Sequence, residues 1–239
     1  MSEPAIRLGL LLGSAASALL GEPSPNVLVV RRHHGGSDDD APFIPAHQVN
    51  HHANLQLLID GGCSHVLSIN SVGSLRPETP VGSVVAPDDF YAPMVNPSIH
   101  DDSDGHSVPG FHKEWRRTVV ETWTSLRTVP IADGGVYAQT RGPRFETPAE
   151  IRMLATVADV VGMTVASECI LARELGLAYA AVCVVDNLGN GLAPTGADLT
   201  LADYETGKAD NFAMLAATFP PLVDLLLAGP TPPQHEETH

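Results

Sequence analysis

Between Gly134 and Asn190 the chain three times follows an apolar run with a short polar cluster. Gly134 to Thr140 leads into Arg141-Gly-Pro-Arg-Phe-Glu146. Val157 to Val161 leads into Gly162-Met-Thr164, and Ala178 to Val185 runs straight into Asp186-Asn187. Such runs read as strands, the last a central strand with no charge along it. In an α/β sheet the polar groups at strand ends converge on one crevice. The three clusters therefore belong to one site if the strands share one sheet.

The rest of the chain fits that sheet. Ile6 to Leu12, Val27 to Val30, His65 to Asn70 and Gly82 to Ala86 read as further strands. Helices are expected from about His47 to Asp60, from Trp115 to Leu126, from Ser167 to Leu175 and over most of Leu199 to Leu227. Gly61-Gly62 supplies a glycine stop to the first. Thr147-Pro148 opens another helix as cap and first-turn proline, with Glu150 in its first turn. Tyr91 to Pro109, rich in Pro, Asp, Ser and His, reads as an irregular surface excursion. Strands alternate with helices and no proline-rich linker divides them. The expectation is an α/β fold: a single domain over 1–229, its central mixed, largely parallel sheet flanked by helices, and a disordered tail over 230–239.

Charge narrows the partners. Hydrophobic residues are 44% of the 239, so the formal charge of -15 belongs to a folded surface. That balance repels nucleic acid and anionic membrane alike. A small anion needs positive groups gathered locally. Cys63, Cys169 and Cys183 follow neither paired nor metal-ligand spacing and read as core residues of a reducing compartment, with no metal expected. No segment reads as long enough to span a bilayer, and Leu8 to Leu20 fits a strand, turn and helix start better than a leader. A cytoplasmic protein is expected.

Arg31-Arg32-His33-His34, directly after a strand, makes a local positive centre, and guanidinium groups bind phosphate bidentately. The aspartates Asp38-Asp39-Asp40 are the competing partners for it. Gly13-Ser14 lacks the full dinucleotide fingerprint, yet a hydroxyl beside backbone N–H groups suits a phosphate. Asn70-Ser71 and Met163-Thr164 add short polar groups whose value lies in convergence. Glu146 and Asn187 together, with Phe145 to stack, match a planar heterocycle carrying both donors and acceptors. Either residue alone would read as a helix-terminus acid or a turn residue.

These blocks resemble the trimeric purine nucleoside phosphorylase and methylthioadenosine (methylthioinosine) phosphorylase family. The resemblance rests on Pro45-Ala-His-Gln-Val-Asn-His-His-Ala-Asn54, Asn70-Ser-Val-Gly-Ser-Leu75, Gly135-Val-Tyr137, Gly142-Pro-Arg-Phe-Glu-Thr147, Gly162-Met-Thr164 and Val184-Val-Asp-Asn187. It implies a pentosyltransferase: phosphorolysis of a purine nucleoside to free base and sugar 1-phosphate, with inorganic phosphate as co-substrate, no metal or organic cofactor, and a homotrimer. By the same resemblance Ser14, Arg32, His33, Ser71 and Thr164 contact phosphate, and Asn70 and Met163 lie against the sugar. Phe145 stacks on the base, and Leu201 and Tyr204 fall near the 5′ substituent. Glu146 and Asn187 take the catalytic base-binding roles, which favours 6-oxopurines such as inosine, guanosine or methylthioinosine. A register shift of one would bring Asp186 to the base instead, and the Tyr179-Ala180 anchor favours Asn187. Departures from the family pattern include Leu12 and Ala15 for glycines, His52 for an arginine, and an expanded loop after His33. A methylthioadenosine-type enzyme, a nucleoside hydrolase and a non-catalytic purine-binding homologue stay open at this point.

Overall fold

Residue by residue, the long strands alternate between two cores. In the computed structural model, which describes residues 7–13, 16, 19, 24–36, 41–193 and 196–229, strand β1 is Leu8–Leu12 and strand β2 is Val27–Arg31. Leu8, Leu10 and Leu12 of β1 enter one apolar cluster and Leu11 enters the other. Helix α1 (His51–Asp60) and strand β3 (His65–Ser74) follow, then strands β4 (Val84–Ala86) and β5 (Asp89–Tyr91). Next come helix α2 (Lys113–Ser125), strands β6 (Ile131–Asp133) and β7 (Val136–Gln139), and helix α3 (Pro148–Leu154). Strand β8 (Val160–Gly162), helix α4 (Val165–Glu174), strand β9 (Ala178–Leu188) and helix α5 (Leu201–Ala228) complete the order. Along β9, Ala178, Ala180, Val182 and Val184 face the cluster holding Trp123 and Phe219, while Tyr179, Ala181, Cys183 and Val185 face the one holding Leu55 and Tyr137. Both faces of the sheet are covered, as a central parallel strand requires.

The nine strands form one mixed sheet that branches at β3. β1 lies parallel to β2 and to the first half of β3, and β9 lies parallel to β3 along its whole length. β8 pairs antiparallel with Gly73 and Ser74, past the point where β1 stops, and β4 pairs antiparallel with β9. β7 joins β8 to β5 in parallel register. The single-domain, largely parallel α/β expectation matches this architecture.

Several bounds differ from the sequence expectation. β3 and β9 run on through Ser74 and Leu188, so Asn70-Ser71 and Asp186-Asn187 sit inside strands rather than at their ends. Continued mutual pairing, with β8 arriving on the open flank, sustains these polar extensions. Their register shifts between Val72 and Gly73, leaving Asp186 without a Cα partner opposite it. A bulge of this kind re-aims the side chains that follow. The helix expected from His47 begins at His51, with Asn50 accepting from the Ala53 N–H as its cap, and residues 46–48 form a separate 3-10 turn. The short strands β5 and β6 have no run long enough to announce them.

α5 also overturns one expectation. At 28 residues, with an 18-residue stretch of mean hydropathy 1.5, it is long and apolar enough to cross a bilayer. It packs on β9 and α2, burying Leu215, Phe219, Leu222 and Leu226, with Pro220-Pro221 within the helix. All three cysteines are buried and free. Ser14, Asp38 to Asp40 and the expected tail at 230–239 lie outside the described residues.

Candidate active site

The end that carries Arg32 is built from β2 inward. Arg32, the residue after β2, is buried at 2% exposure although it carries a full charge. Its Nε donates to Glu168 Oε1, and its Nη2 donates to Ser68 Oγ at 2.6 Å, Asn70 Oδ1 at 2.8 Å and Glu168 Oε2 at 3.1 Å. Burial opposes the charge on Arg32, and the Glu168 carboxylate more than offsets it, so its pKa is raised. Burial likewise opposes ionisation of Glu168, yet Arg32 and the nearby His51 hold its carboxyl well below the usual range. Tyr179 OH donates to Glu168 Oε2 at 2.7 Å and completes the shell. Nη1 is the corner of the guanidinium facing Gly13, where a Cβ would stand 3.0 Å from it. The lack of a side chain at Gly13 keeps that corner open.

His33 follows on the same 3-10 turn. Its Nδ1 lies 2.9 Å from the Ile44 carbonyl and its ring stacks on Phe43 with centroids 5.1 Å apart. Burial first, and the neighbouring Arg32 second, push its pKa down to about 4. The ring is therefore neutral near pH 7. The carbonyl fixes the proton on Nδ1 and leaves Nε2 bare.

At the other end, Thr147 caps α3, with its side chain accepting from the Glu150 N–H and Glu150 reaching back to the Thr147 N–H at 2.7 Å. Arg144 holds the same Glu150 with two hydrogen bonds of 2.8 Å. Glu150 thus does the helix-terminus work, and Glu146, one residue before the cap, is released from it. The Glu146 carboxylate accepts from Thr140 Oγ1 at 2.5 Å and is 6% exposed. Asn190 Nδ2 donates to the Glu146 carbonyl at 2.9 Å and ties this loop to the end of β9. The Asn187 side chain donates to the adjacent Leu188 carbonyl, at 2.8 Å.

Both ends open on one cavity of about 460 Å³, within the range of small-molecule sites. Arg32, His33, Asn70, Ser71, Phe145, Glu146, Met163, Thr164, Asn187, Leu201 and Tyr204 all line it. Of the residues singled out in the sequence, Ser14 lies outside the described residues and Asp186 is not in the lining. The Asp186 carboxylate is buried away from the cavity, where Oδ1 accepts from Asn211 Nδ2 at 2.7 Å. Burial raises its pKa, opposed by Ser71, Asn211 and Lys208. The bulge therefore sends Asn187, not Asp186, to the cavity wall. Ser71 reaches the wall, yet its Oγ is buried near Asp186 with no completed hydrogen bond. Asn70 spends its amide on Arg32 and on the Val182 carbonyl. At the start of α4 the Thr164 and Val165 N–H groups donate to Tyr137 OH at 3.2 and 3.4 Å.

The residues missed in the sequence come from buried polar contacts and from α5. Glu168 lies among buried apolar residues of α4, where a charge needs a partner that local sequence does not name, and Ser68 lies between Leu67 and Ile69 on β3. Glu205 and Lys208 follow Leu201 and Tyr204 at helical spacing and share their cavity-facing stripe. Tyr204 leans on Phe145 with ring centroids 6.2 Å apart, joining the stripe to the loop before α3.

A family model described as the phosphorylase superfamily matches residues 21–219. The chain belongs to that superfamily. Among curated relatives, a probable 6-oxopurine nucleoside phosphorylase of Archaeoglobus fulgidus is 42% identical over 167 residues, covering 70% of this chain and 67% of that protein. A probable S-methyl-5′-thioinosine phosphorylase of Methanosarcina acetivorans is 39% identical over 170 residues, covering 70% and 63%. The chain thus matches about two thirds of the length of these phosphorylases. A solved methylthioadenosine phosphorylase from Schistosoma mansoni, in complex with adenine, superposes with a TM-score of 0.77 at 21% identity, covering 94% of this chain and 93% of that one. That likeness fixes the superfamily fold.

Proposed function

We propose that this phosphorylase-superfamily protein cleaves 6-oxopurine nucleosides by phosphorolysis, giving free base and sugar 1-phosphate. One observation carries the reading: the carboxylate of Glu146 and the carboxamide of Asn187 line the same cavity as the buried Arg32. Inorganic phosphate is the co-substrate, no metal or organic cofactor is required, and the working unit is a homotrimer. The names of the two archaeal relatives support both the reaction and the 6-oxo preference.

The chemistry follows from the two ends. As the C1′–N9 bond lengthens, the sugar gains oxocarbenium character, and a phosphate held at Arg32 places an anion against it. The electron pair of the broken bond moves onto the purine ring. Asn187 Nδ2–H, directed to N7, stabilises that charge as it develops. Glu146 accepts from N1–H of hypoxanthine or guanine. Adenine N1 bears no proton, so it would set one acceptor against another, a mismatch that a buried site rejects strongly. Phe145 stacks on the base and Met163 lies under the sugar. Leu201 and Tyr204 border the 5′ substituent.

Inosine, methylthioinosine and methylthioadenosine, each incubated with and without phosphate, test the proposal. Hypoxanthine and a sugar 1-phosphate should form only when phosphate is present. Release of base without phosphate would overturn the reaction class, and preference for methylthioadenosine would overturn the roles of Glu146 and Asn187.

A further inference from the structure

α5 brings to the cavity a charged group that the roles above leave unused. Lys208 and Arg32 are the permanent cations among the described residues of the lining. Lys208 Nζ sits 2.7 Å from Glu205 Oε2 and 5.3 Å from the centre of the Tyr204 ring. An ammonium has three donors, and Glu205 occupies one of them. The helix reaches this place because its neighbour is glycine: a Cβ at Gly207 would fall 1.7 Å from the Asp186 carbonyl oxygen. One turn on, Asn211 Nδ2 donates to the Val185 carbonyl at 3.0 Å, locking α5 against the same segment of β9. Lys208 therefore enters the cavity beside the Asp186–Asn187 peptide, and its charge is felt at Asp186.

We propose that Lys208 is a further catalytic and specificity-determining residue, supplying positive charge to the O6–N7 edge of the departing purine. This rests on the phosphorolysis reading. The C1′–O bond to phosphate forms as C1′–N9 breaks, and the electron pair left on N9 spreads over N7 and O6. Asn187 meets that charge at N7 and the Lys208 ammonium meets it at O6. The base takes up its proton from solvent after release. A carbonyl at C6 accepts from an ammonium, whereas an exocyclic amine presents a donor to it, so Lys208 reinforces the selection made by Glu146 at N1. Glu205, at the exposed rim, holds the ammonium in place between turnovers.

The test compares leaving groups. In 7-methylinosine the ring already carries a positive charge and departs as a neutral base, so no anion needs stabilising. Lys208→Met should lower kcat on inosine by about 10-fold or more. Its rate on 7-methylinosine should stay within about 2-fold of the unaltered protein, and the KM for phosphate should not move. The ratio of inosine to adenosine turnover should fall with it, and Lys208→Arg should restore much of both. Equal losses on the two inosines, or no loss on either, would overturn the role of Lys208. Failure of the unaltered protein to release hypoxanthine from inosine with phosphate would instead overturn the underlying phosphorolysis reading, and this inference with it.

Discussion

The two ends of the cavity are held in different ways. At the anion end Arg32 is gripped by Glu168, Ser68 and Asn70, all buried, and Tyr179 closes the shell behind the carboxylate. At the base end, among the described residues, Glu146 has one side-chain donor and the Asn187 side chain bonds to the next residue's carbonyl. The first end is wired before any ligand arrives, as befits a group whose charge must not wander. The second commits one hydrogen bond of each side chain and leaves the remaining capacity open. Preorganisation is thus concentrated where a buried charge demands it.

That contrast makes separate predictions for stability and for turnover. Glu168→Ala leaves the buried guanidinium unpaired, a change that costs roughly 3–5 kcal/mol. Thermal unfolding should shift down by about 10 °C for a chain of this size. An unchanged Tm would mean that the network is not what holds Arg32. Asn187→Ala should behave oppositely, lowering kcat on inosine on the order of 10²-fold with little change in Tm. Equal damage to both quantities would erase the distinction between the two ends.

The base end was the more legible in the sequence. Glu146, Asn187 and Phe145 stand in short polar clusters directly after continuous apolar runs, which mark the buried strands. The mixed α/β sheet followed from the alternation of those strands with helices along the chain. Glu168 was hidden for the opposite reason. It sits on α4 among Ala166, Cys169 and Ile170, all buried, and only the fold brings Arg32, 136 positions away, to its carboxylate. The bulge at Asp186 was illegible too, because register depends on partner strands and not on local composition. Lys208 shows in the sequence only as helical spacing from Leu201 and Tyr204; its approach to β9 depends on Gly207, which lets α5 press against Asp186.

Glu146→Gln sharpens the comparison at the base end. The amide adds a donor where only an acceptor stood, so adenine N1 gains a partner and hypoxanthine N1–H keeps a weaker one. The ratio of inosine to adenosine turnover should fall by about 10- to 100-fold, with Tm held nearly constant. A fall in both rates by one factor would place Glu146 outside the base-recognition contact.

The smallest effect belongs to His33, at the rim of the anion end. Its pKa is about 4 in the folded chain, against an ordinary 6.5, because it is buried and next to Arg32. A depressed folded value means that the unfolded chain takes up this proton first as pH falls. The stability His33 contributes is therefore complete above pH 6.5 and drains away between there and about pH 4. The loss over that window should be on the order of 2 kcal/mol. His65 is lowered as well, by burial and then by His112, so the His33 share has to be read from a difference. Denaturant unfolding of the unaltered protein and of His33→Gln, at pH 7 and at pH 4.5, isolates it. The variant should show the shallower decline, since glutamine binds no proton. Parallel declines would mean that His33 titrates alike in the folded and unfolded chain, so that burial and Arg32 do not hold its ring neutral below pH 6.5.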